Sequence, residues 1–325
     1  MFLINSEKFA EFDCVNIRNK AQGIELQIIH GFGAIINKYM VNNSPFSFIQ
    51  GYSSGQELNK TNPFFSRSAK LFPFVNRLNN GHYQYQNNDY QLPANFPWSD
   101  QHAVHGLVYN QPFSLIEHQA TNEFAMLKFC FQSDKLHSGF PFSVKLEVEY
   151  KIQLDGQLTC STSITNTGTT TFPFADGAHP YFNLGQALKH CLIEMPSCQK
   201  LENTDGLPNG QLQVFEQFIK PTSLADINFN DCYQFPEGSQ TDPSINLYLS
   251  RQDKQAKLHY WQNNIEFNGY RFLQLYTPSE EETIAIEPMT SPADAFNNKI
   301  GLQELAPQKS VTLVWGCQAS YLTSQ

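Results

Sequence analysis

The chain has 325 residues, of which 41% are hydrophobic, 14% are aromatic and only 16% are charged, with a formal net charge of −9. This acidic balance argues against nucleic acids and anionic membranes as partners, because both attract basic surfaces. The five arginines also leave little for a phosphate site, since arginine is the preferred bidentate ligand of phosphate. A neutral small molecule fits this composition better.

Alternation of apolar and polar residues predicts β-strands along much of the chain. The plainest segments, Val144 to Leu154 and Leu158 to Ile164, flank Asp155-Gly156. This dipeptide is typical of a two-residue hairpin turn whose central residues both have positive φ. The other strand candidates, in chain order, are Ile24 to His30, Ala34 to Val41, Phe124 to Phe131, Phe272 to Thr277, Thr283 to Glu287 and Ser310 to Trp315.

Helix signals are few, and short helices are predicted only after Ser223 and around Asp294. Long polar loops are predicted at 79–102, 201–213 and 236–246. No linker and no internal repeat divides the sequence. We therefore expect one domain over residues 1–325, folded as a large antiparallel β-sandwich of the all-β class with few short helices.

The cysteines and the hydropathy pattern bear on the compartment. Seven cysteines occur without a CxxC pair, and their odd number favours reduced thiols over a disulfide framework. The N-terminus lacks the apolar run that is typical of a signal peptide. No segment approaches the roughly 20 apolar residues of a membrane span. We expect a cytoplasmic protein without a membrane partner, either a monomer or a homodimer.

Five short segments, far apart in sequence, carry side chains suited to proton transfer and hydroxyl recognition. His179 precedes a proline that restricts it to extended geometry, although a core histidine with satisfied hydrogen bonds would look the same. Glu287 closes an apolar run, where a carboxylate is costly unless it is paired or functional; it could instead accept loop amides. The segments are Phe74 to Leu78 with Gly81, His102 to Gly106, Asp176 to Leu184, Asn230 to Tyr233, and Ala285 to Thr290 continuing to Pro292, Asp294 and Asn297.

Together these segments resemble the aldose 1-epimerase (galactose mutarotase) family, and the resemblance covers most of the chain between residues 70 and 300. Five matches in the family's chain order are more specific than any single one. The matching motifs are His179-Pro180-Tyr181-Phe182-Asn183-Leu184, Glu287-Pro288, Asn76-Arg77, His105-Gly106 and the turn-like Leu207-Pro208-Asn209-Gly210.

The resemblance implies a galactose mutarotase-like supersandwich with a sugar-binding cleft and no cofactor or metal. It implies an isomerase that interconverts the α and β anomers of a free hexose such as glucose or galactose. Glu287 would be the base and His179 the acid. Asp231 stands in a sequence context that differs from the best-known members. The sugar-hydroxyl ligands implied by the resemblance are Asn76, Arg77, His105, Tyr181, Asp231 and Gln274.

One proton taken from the C1 hydroxyl and one given to the ring oxygen suffice to open the ring. We expect opposite charges on Glu287 and His179 to keep each group in the state it needs. A hexose-6-phosphate 1-epimerase is an alternative, but it predicts a basic cluster at the cleft. A carbohydrate-binding protein on the same fold could dispense with either residue. A metal-dependent hydrolase has only His102 and His105 in its favour, without an HExxH motif.

Overall fold

The computed structural model describes residues 1–99, 101–238, 243–265, 267–279 and 282–322, in which strands are the main element. The first strands are β1 Leu3–Phe9, β2 Phe12–Asn19, β3 Ile24–Ile29, β4 Ile35–Met40, β5 Lys70–Leu71, β6 Arg77–Leu78, β7 His82–Tyr85, β8 Asn88–Gln91 and β9 Ala103–Val104. The next are β10 Ser114–Ala120, β11 Phe124–Ser133, β12 Val144–Gln153, β13 Gln157–Asn166, β14 Phe172–Phe174, β15 Gly177–Ala178, β16 Tyr181–Phe182, β17 Cys191–Glu194 and β18 Cys198–Thr204. The last are β19 Leu207–Phe215, β20 Thr222–Ser223, β21 Asn230–Gln234, β22 Ser244–Arg251, β23 Ala256–Asn263, β24 Phe272–Tyr276, β25 Ile284–Met289, β26 Gln303–Leu305 and β27 Ser310–Tyr321. The helices are α1 Gly55–Phe65 and α2 Ala295–Asn298, with 3₁₀ turns at Asn79–Gly81 and Leu188–His190.

Two large antiparallel sheets and one smaller sheet organise these strands. The nine-stranded sheet has the order β10-β11-β12-β13-β27-β23-β22-β17-β20. The eight-stranded sheet has the order β19-β18-β21-β24-β25-β15-β5, and β16 also pairs with β25. The strands β1 to β4 form a four-stranded sheet at the start of the chain. The expected all-β sandwich of the mutarotase type is thereby confirmed. In the described part of the chain, no helix is both long and apolar enough to cross a membrane.

Apolar side chains from the three sheets meet in one extended core. Every second residue of β12 is buried, which places one face of the nine-stranded sheet in the core. Leu273 and Ile286 enter the same core from the eight-stranded sheet, and Leu26 enters from the four-stranded sheet. Each such buried aliphatic side chain stabilises the fold by about 1.5–3 kcal/mol relative to an exposed one. The core thus provides a rigid support beneath the eight-stranded sheet.

All six further strand candidates lie in or overlap observed strands, and the predicted hairpin joins β12 to β13. Its turn differs from the expected two-residue form. Gly156 has φ 82°, whereas Asp155 is not among the residues with positive φ, and the Gly156 N–H donates to the carbonyl of Gln153 at 3.0 Å. This is the pattern of a three-residue turn closed by a glycine, which is the next most common hairpin.

The helix predictions were half right. A short helix, α2, follows Asp294, but the residues after Ser223 form a turn rather than a helix. The longer helix α1 was not predicted. It begins at the N-cap Ser54, whose side chain accepts a hydrogen bond from the N–H of Glu57 at 3.2 Å. Serine followed three residues later by glutamate is a known helix-start pattern, so a signal was present.

Two of the predicted loops contain regular structure. Residues 201–213 lie mostly in the hairpin of β18 and β19, so Leu207 to Gly210 forms part of a strand rather than a turn. Residues 79–102 include the hairpin of β7 and β8. The third predicted loop, 236–246, lies partly outside the described residues, and its last residues begin β22 at Ser244. Polar composition indicated loops here because these strands are largely exposed.

Candidate active site

Glu287 lies in the middle of the eight-stranded sheet. It is on β25, directly opposite Gln274 on β24, so both side chains point to the same face of the sheet. The Glu287 side chain is only 2% exposed. Its Oε2 atom is buried without a hydrogen-bond partner among the described residues. A buried carboxyl oxygen without a partner is expensive, which points to a role in binding or catalysis.

His179 lies between the two short strands β15 and β16, which both pair with β25. Its N–H donates to the carbonyl of Ala69 at 3.0 Å, and its carbonyl accepts from the N–H of Ser68 at 2.8 Å. The imidazole stacks on Tyr181 with 5.1 Å between ring centroids, and the ring of His105 meets it edge-on at 5.0 Å. Backbone bonds and ring packing therefore fix the imidazole beside Glu287.

The two groups form one coupled pair, with 3.3 Å between His179 Nε2 and Glu287 Oε1. Burial lowers the pKa of His179 from 6.5 to about 4 and raises the pKa of Glu287 well above its usual 4.5. In the free protein, burial therefore favours the neutral forms, with one proton held between the two groups. Loss of hydration therefore opposes the opposite charges that we expect on the two groups, and that charged state stays a prediction.

The pH dependence of catalysis should report this shared proton. A proton-transfer role for the pair, as the resemblance implies, requires one proton on it, so kcat/KM should be flat around neutral pH. The value of kcat/KM should fall on the acid side near pH 4, where His179 becomes protonated and the pair holds two protons. On the alkaline side it should fall only well above pH 4.5, where Glu287 loses its proton and the pair holds none. Rates corrected for spontaneous anomer exchange at each pH test this. A fall in kcat/KM near pH 6.5 on the acid side would contradict the lowered pKa of His179.

A cleft of about 400 Å³ opens above this pair. Seven of the eight residues proposed from the sequence line it together, although their segments are far apart in the chain. A volume of this size is within the usual range of small-molecule sites. Those seven residues are Asn76, Arg77, His105, His179, Tyr181, Gln274 and Glu287.

Arg77 is the arginine of this lining, and it reaches the cleft from β6. The side chain of Asn76 accepts hydrogen bonds from the Arg77 N–H at 2.9 Å and from Nη1 at 3.2 Å. The guanidinium also lies over the ring of Trp98, 5.2 Å from its centroid. Asp294 and Asn297, which belong to the fifth segment, support this loop: the Asp294 N–H donates to the Arg77 carbonyl at 2.7 Å. Their role in the structure is to hold the loop in place.

His105 is buried and lies in a left-handed turn with φ 59°. The next residue, Gly106, has φ 77°, and a Cβ atom there would lie 2.2 Å from the carbonyl oxygen of Phe72, so only glycine fits. Burial, and then the nearby His179 and Arg77, lower the pKa of His105 well below 6.5. The ring is therefore neutral at physiological pH and has one donor and one acceptor nitrogen.

Asp231 is the one candidate that does not line the cleft. Successive residues of a strand point to opposite faces, and Cys232 on β21 lies opposite Gln274. Asn230 and Cys232 therefore share the face of Gln274, and Asp231 points away from it. The Asp231 carboxylate pairs with Lys200 at 2.8 Å. Asn230 lines the cleft instead, and its Oδ1 accepts from the Gln274 amide at 3.3 Å.

Substitution of these neighbours should separate their roles. If the cleft binds the sugar that the resemblance implies, Asn230→Ala should lower kcat/KM about tenfold, the effect of one lost hydrogen bond to a hydroxyl group. Asp231→Ala removes only a partly buried ion pair outside the cleft and should leave kcat/KM within about twofold of the wild type. Each variant is the control for the other. If Asp231→Ala were the impaired variant, the assignment from strand alternation would be reversed.

The mouth of the cleft is formed by Trp98, whose loop the sequence suggested as a cover for the apolar face of a sugar, and by three aromatic residues that sequence reasoning missed. Phe64 and Phe65 end α1, and Tyr276 ends β24. The Trp98 Nε1–H donates to the carbonyl of Pro63 at 3.1 Å, which joins α1 to the opposite rim. Phe64 and Trp98 are 57% and 41% exposed, so flat apolar surfaces face the opening. Aromatic faces of this kind pack against the apolar face of a sugar ring.

The described part of the chain contains no set of side chains that could bind a metal ion. There, no group of three or more His, Cys, Asp or Glu side chains is arranged to hold a metal ion. The donors and acceptors of the cleft are instead an imidazole pair, a carboxyl group, three carboxamides and a guanidinium, which are suited to hydroxyl groups.

The large antiparallel β-sandwich is the fold of galactose mutarotase-like proteins. Residues 13–316 match the family model described as aldose 1-epimerase. The chain therefore belongs to the aldose 1-epimerase family, as the sequence motifs indicated.

Two solved structures and one further protein sequence are similar to this chain. A galactose mutarotase-like protein from Clostridium acetobutylicum has a TM-score of 0.85 at 17% identity, with 99% of each chain covered. A galactose 1-epimerase from Lactobacillus acidophilus NCFM has a TM-score of 0.79 at 16% identity, again with 99% of each chain covered. The protein YihR of Escherichia coli K12 is 25% identical over 243 residues, which are 71% of this chain and 72% of YihR. At these identities the solved structures show the fold.

Proposed function

We propose that this protein is a mutarotase that interconverts the α and β anomers of a free hexose such as glucose or galactose. The observation that carries the proposal is the pair of His179 and Glu287, 3.3 Å apart and almost fully buried in the wall of the cleft. A protein that only binds sugar has no need of two titratable groups so close together and so costly to bury.

In the proposed reaction, the proton that the pair shares resides on His179 when the sugar is bound. The Glu287 carboxylate takes the proton from the C1 hydroxyl while His179 gives its proton to the ring oxygen. The bond from C1 to the ring oxygen breaks, and C1 and its own oxygen form the carbonyl group. After rotation about the C1–C2 bond, ring closure on the other face of the aldehyde reverses both transfers. Each proton returns to its group, so no co-reactant is consumed.

The remaining lining residues are proposed to hold the sugar in register with this pair. Arg77 provides donors, while Gln274 and Asn230 each provide a donor and an acceptor. Neutral His105 adds one of each. The aromatic rim formed by Phe64 and Trp98 would cover an apolar ring face. Correct placement of the reacting atoms reduces the barrier as much as the proton transfers do.

The compartment is also a proposal. All seven cysteines are unpaired in the structure. Free thiols persist in a reducing compartment, which supports a cytoplasmic location. The phosphate alternative gains no support from the cleft, because Arg77 is the only lysine or arginine among its described lining residues.

Polarimetry on freshly dissolved α-D-glucose, α-D-galactose and α-D-glucose 6-phosphate, with and without EDTA, tests the function. We expect accelerated anomer exchange of at least one free hexose, unchanged by EDTA. Acceleration of the phosphate alone would favour a hexose-6-phosphate 1-epimerase. Binding without acceleration would favour a carbohydrate-binding protein, and loss of activity with EDTA would favour a metal enzyme. Each of these three results contradicts the proposal.

A further inference from the structure

A buried ion pair lies on the inner side of the segment that carries His179. Asp176 is completely buried and Lys70 is 5% exposed. The Lys70 ammonium donates to Asp176 Oδ2 at 2.5 Å and to the Gly177 carbonyl at 3.1 Å. The Tyr270 hydroxyl donates to the same Oδ2 at 2.8 Å. None of these groups lines the cleft, so the proposed mechanism does not use them.

The backbone of Asp176 is bound to the strand that carries Glu287. The Asp176 N–H donates to Thr290 Oγ1 at 2.9 Å, and the Thr290 N–H donates to the Asp176 carbonyl at 2.9 Å. Asp176 precedes His179 by three residues, and Thr290 follows Glu287 by three. These two hydrogen bonds therefore join the two segments only three residues away from each proton-transfer residue.

Lys70 secures the other side of the same segment. It lies opposite Ala178 in the pairing of β5 with β15. Its neighbours Ser68 and Ala69 hold the backbone of His179 through the two hydrogen bonds described above. The ion pair thus joins three adjacent pieces of chain: the strand before the cleft, the His179 segment and, through Asp176, the Glu287 strand.

Stability alone does not account for charges in this place. Removing two charged groups from water costs more than apolar packing of the same volume, and apolar replacements of buried ion pairs are often neutral or stabilising. Burial lowers the pKa of Lys70 and raises the pKa of Asp176, so burial opposes both charges. Asp176 Oδ1 also has no hydrogen-bond partner among the described residues. The directional bonds of the pair are what an apolar core would lack.

We propose that Lys70 and Asp176 are positioning residues that fix the separation of His179 and Glu287. The inference rests on the proposed mutarotase function. Directional bonds at Asp176 Oδ2 tie the His179 segment to Lys70 and Tyr270, and those at its backbone tie it to Thr290 at the end of β25, whereas apolar side chains would tolerate small shifts. A shift of about 1 Å between the proton-transfer groups is enough to lower the rate by about 100-fold.

The test is the charge-free double variant Lys70→Met/Asp176→Asn. We expect it to fold with an unchanged or higher Tm and to lose about 10- to 100-fold in kcat. Its KM should be unchanged, because the network does not touch the sugar ligands of the cleft. The matched control, Lys128→Met/Glu149→Gln, removes an ion pair of 3.2 Å between β11 and β12. That variant should keep the wild-type kcat.

A second readout does not depend on activity. The imidazole carbon and proton NMR signals of His179, identified by their absence in His179→Asn, should shift in the double variant and stay in place in the control. An inactive wild type would refute the proposed function, while the His179 signals would still test the positioning role. An active wild type, with unchanged kcat and unchanged His179 signals in the folded double variant, would overturn the inference.

If the double variant does not fold, substitutions of Thr290 test the positioning role instead. Thr290→Val removes the hydroxyl acceptor of the Asp176 N–H and keeps the shape of the side chain, whereas Thr290→Ser keeps the acceptor. We expect a lower kcat and shifted His179 signals for the valine variant, and rescue of both by the serine variant. Equal kcat and equal spectra in the two variants would overturn the inference.

Discussion

Glu287→Gln is expected to lower the catalysed rate of anomer exchange by about 10²–10⁴-fold, the usual contribution of a general base. The amide keeps the size and hydrogen-bonding geometry of the carboxyl group but cannot take the proton from the C1 hydroxyl. KM should change little, because the sugar ligands around it remain. Polarimetry and anomer-exchange NMR measure the rate, and Glu149→Gln on the nine-stranded sheet is the control.

The same substitution should raise stability at neutral pH. The folded-state pKa of Glu287 lies above its unfolded value, so its contribution to stability is full below the unfolded pKa. That contribution is lost as the pH rises towards the folded pKa. Glutamine does not titrate. The Tm of the variant relative to the wild type should therefore be smallest at pH 4 and increase towards pH 8. Near-full activity, or a Tm difference that does not depend on pH, would contradict the assignment of Glu287 as a buried base.

The strands, and the two residues His179 and Glu287 that meet in the cleft, could be predicted from the sequence because each leaves a local signal. A strand with one buried face repeats its apolar residues with a period of two, as β12 does. His179 and Glu287 stand in short contiguous motifs that belong to a recognisable family. The short distance between the two side chains could not be predicted. It results from the pairing of β15 and β16 with β25, which is more than 100 residues away along the chain.

The sequence could not predict that Asn230, rather than Asp231, lines the cleft. A one-residue change of register reverses which face each side chain takes. Around Asn230-Asp231-Cys232, no alternation of apolar residues indicates the buried face. The register of β21 against β24 decides it, and that register is a property of the folded sheet. The pKa shifts of His179 and Glu287 could not be predicted for a related reason, because burial is known only once the tertiary structure is known.

The helix α1 had a local signal that was outweighed by a contrary one. The N-cap pattern of Ser54 and Glu57 favours a helix, but Pro63 disfavours one. The structure accommodates Pro63 in the last turn of the helix. There its carbonyl accepts from Trp98, 35 residues away in sequence. That contact makes the end of α1 a wall of the cleft, and no local pattern reports it.

His179→Asn is expected to lower the catalysed rate by about 10²–10⁴-fold, as for loss of a general acid. Asparagine can donate a hydrogen bond from its amide, but it cannot release a proton to the ring oxygen at neutral pH. The acid limb of the pH profile near pH 4 should also disappear from any residual activity, because it belongs to the imidazole. His118→Asn, on the exposed face of β10, is the matched control and should behave as the wild type.

The double variant Glu287→Gln/His179→Asn distinguishes a coupled pair from two independent contributors. Ring opening needs both transfers in one event, so loss of either partner should remove most of the acceleration. The second substitution should then add little, as is usual for residues that act as a unit. Fully multiplicative losses would mean that the two groups assist separate steps. In that case, the single proton inferred from their 3.3 Å separation and mutual burial would not be the one transferred in catalysis.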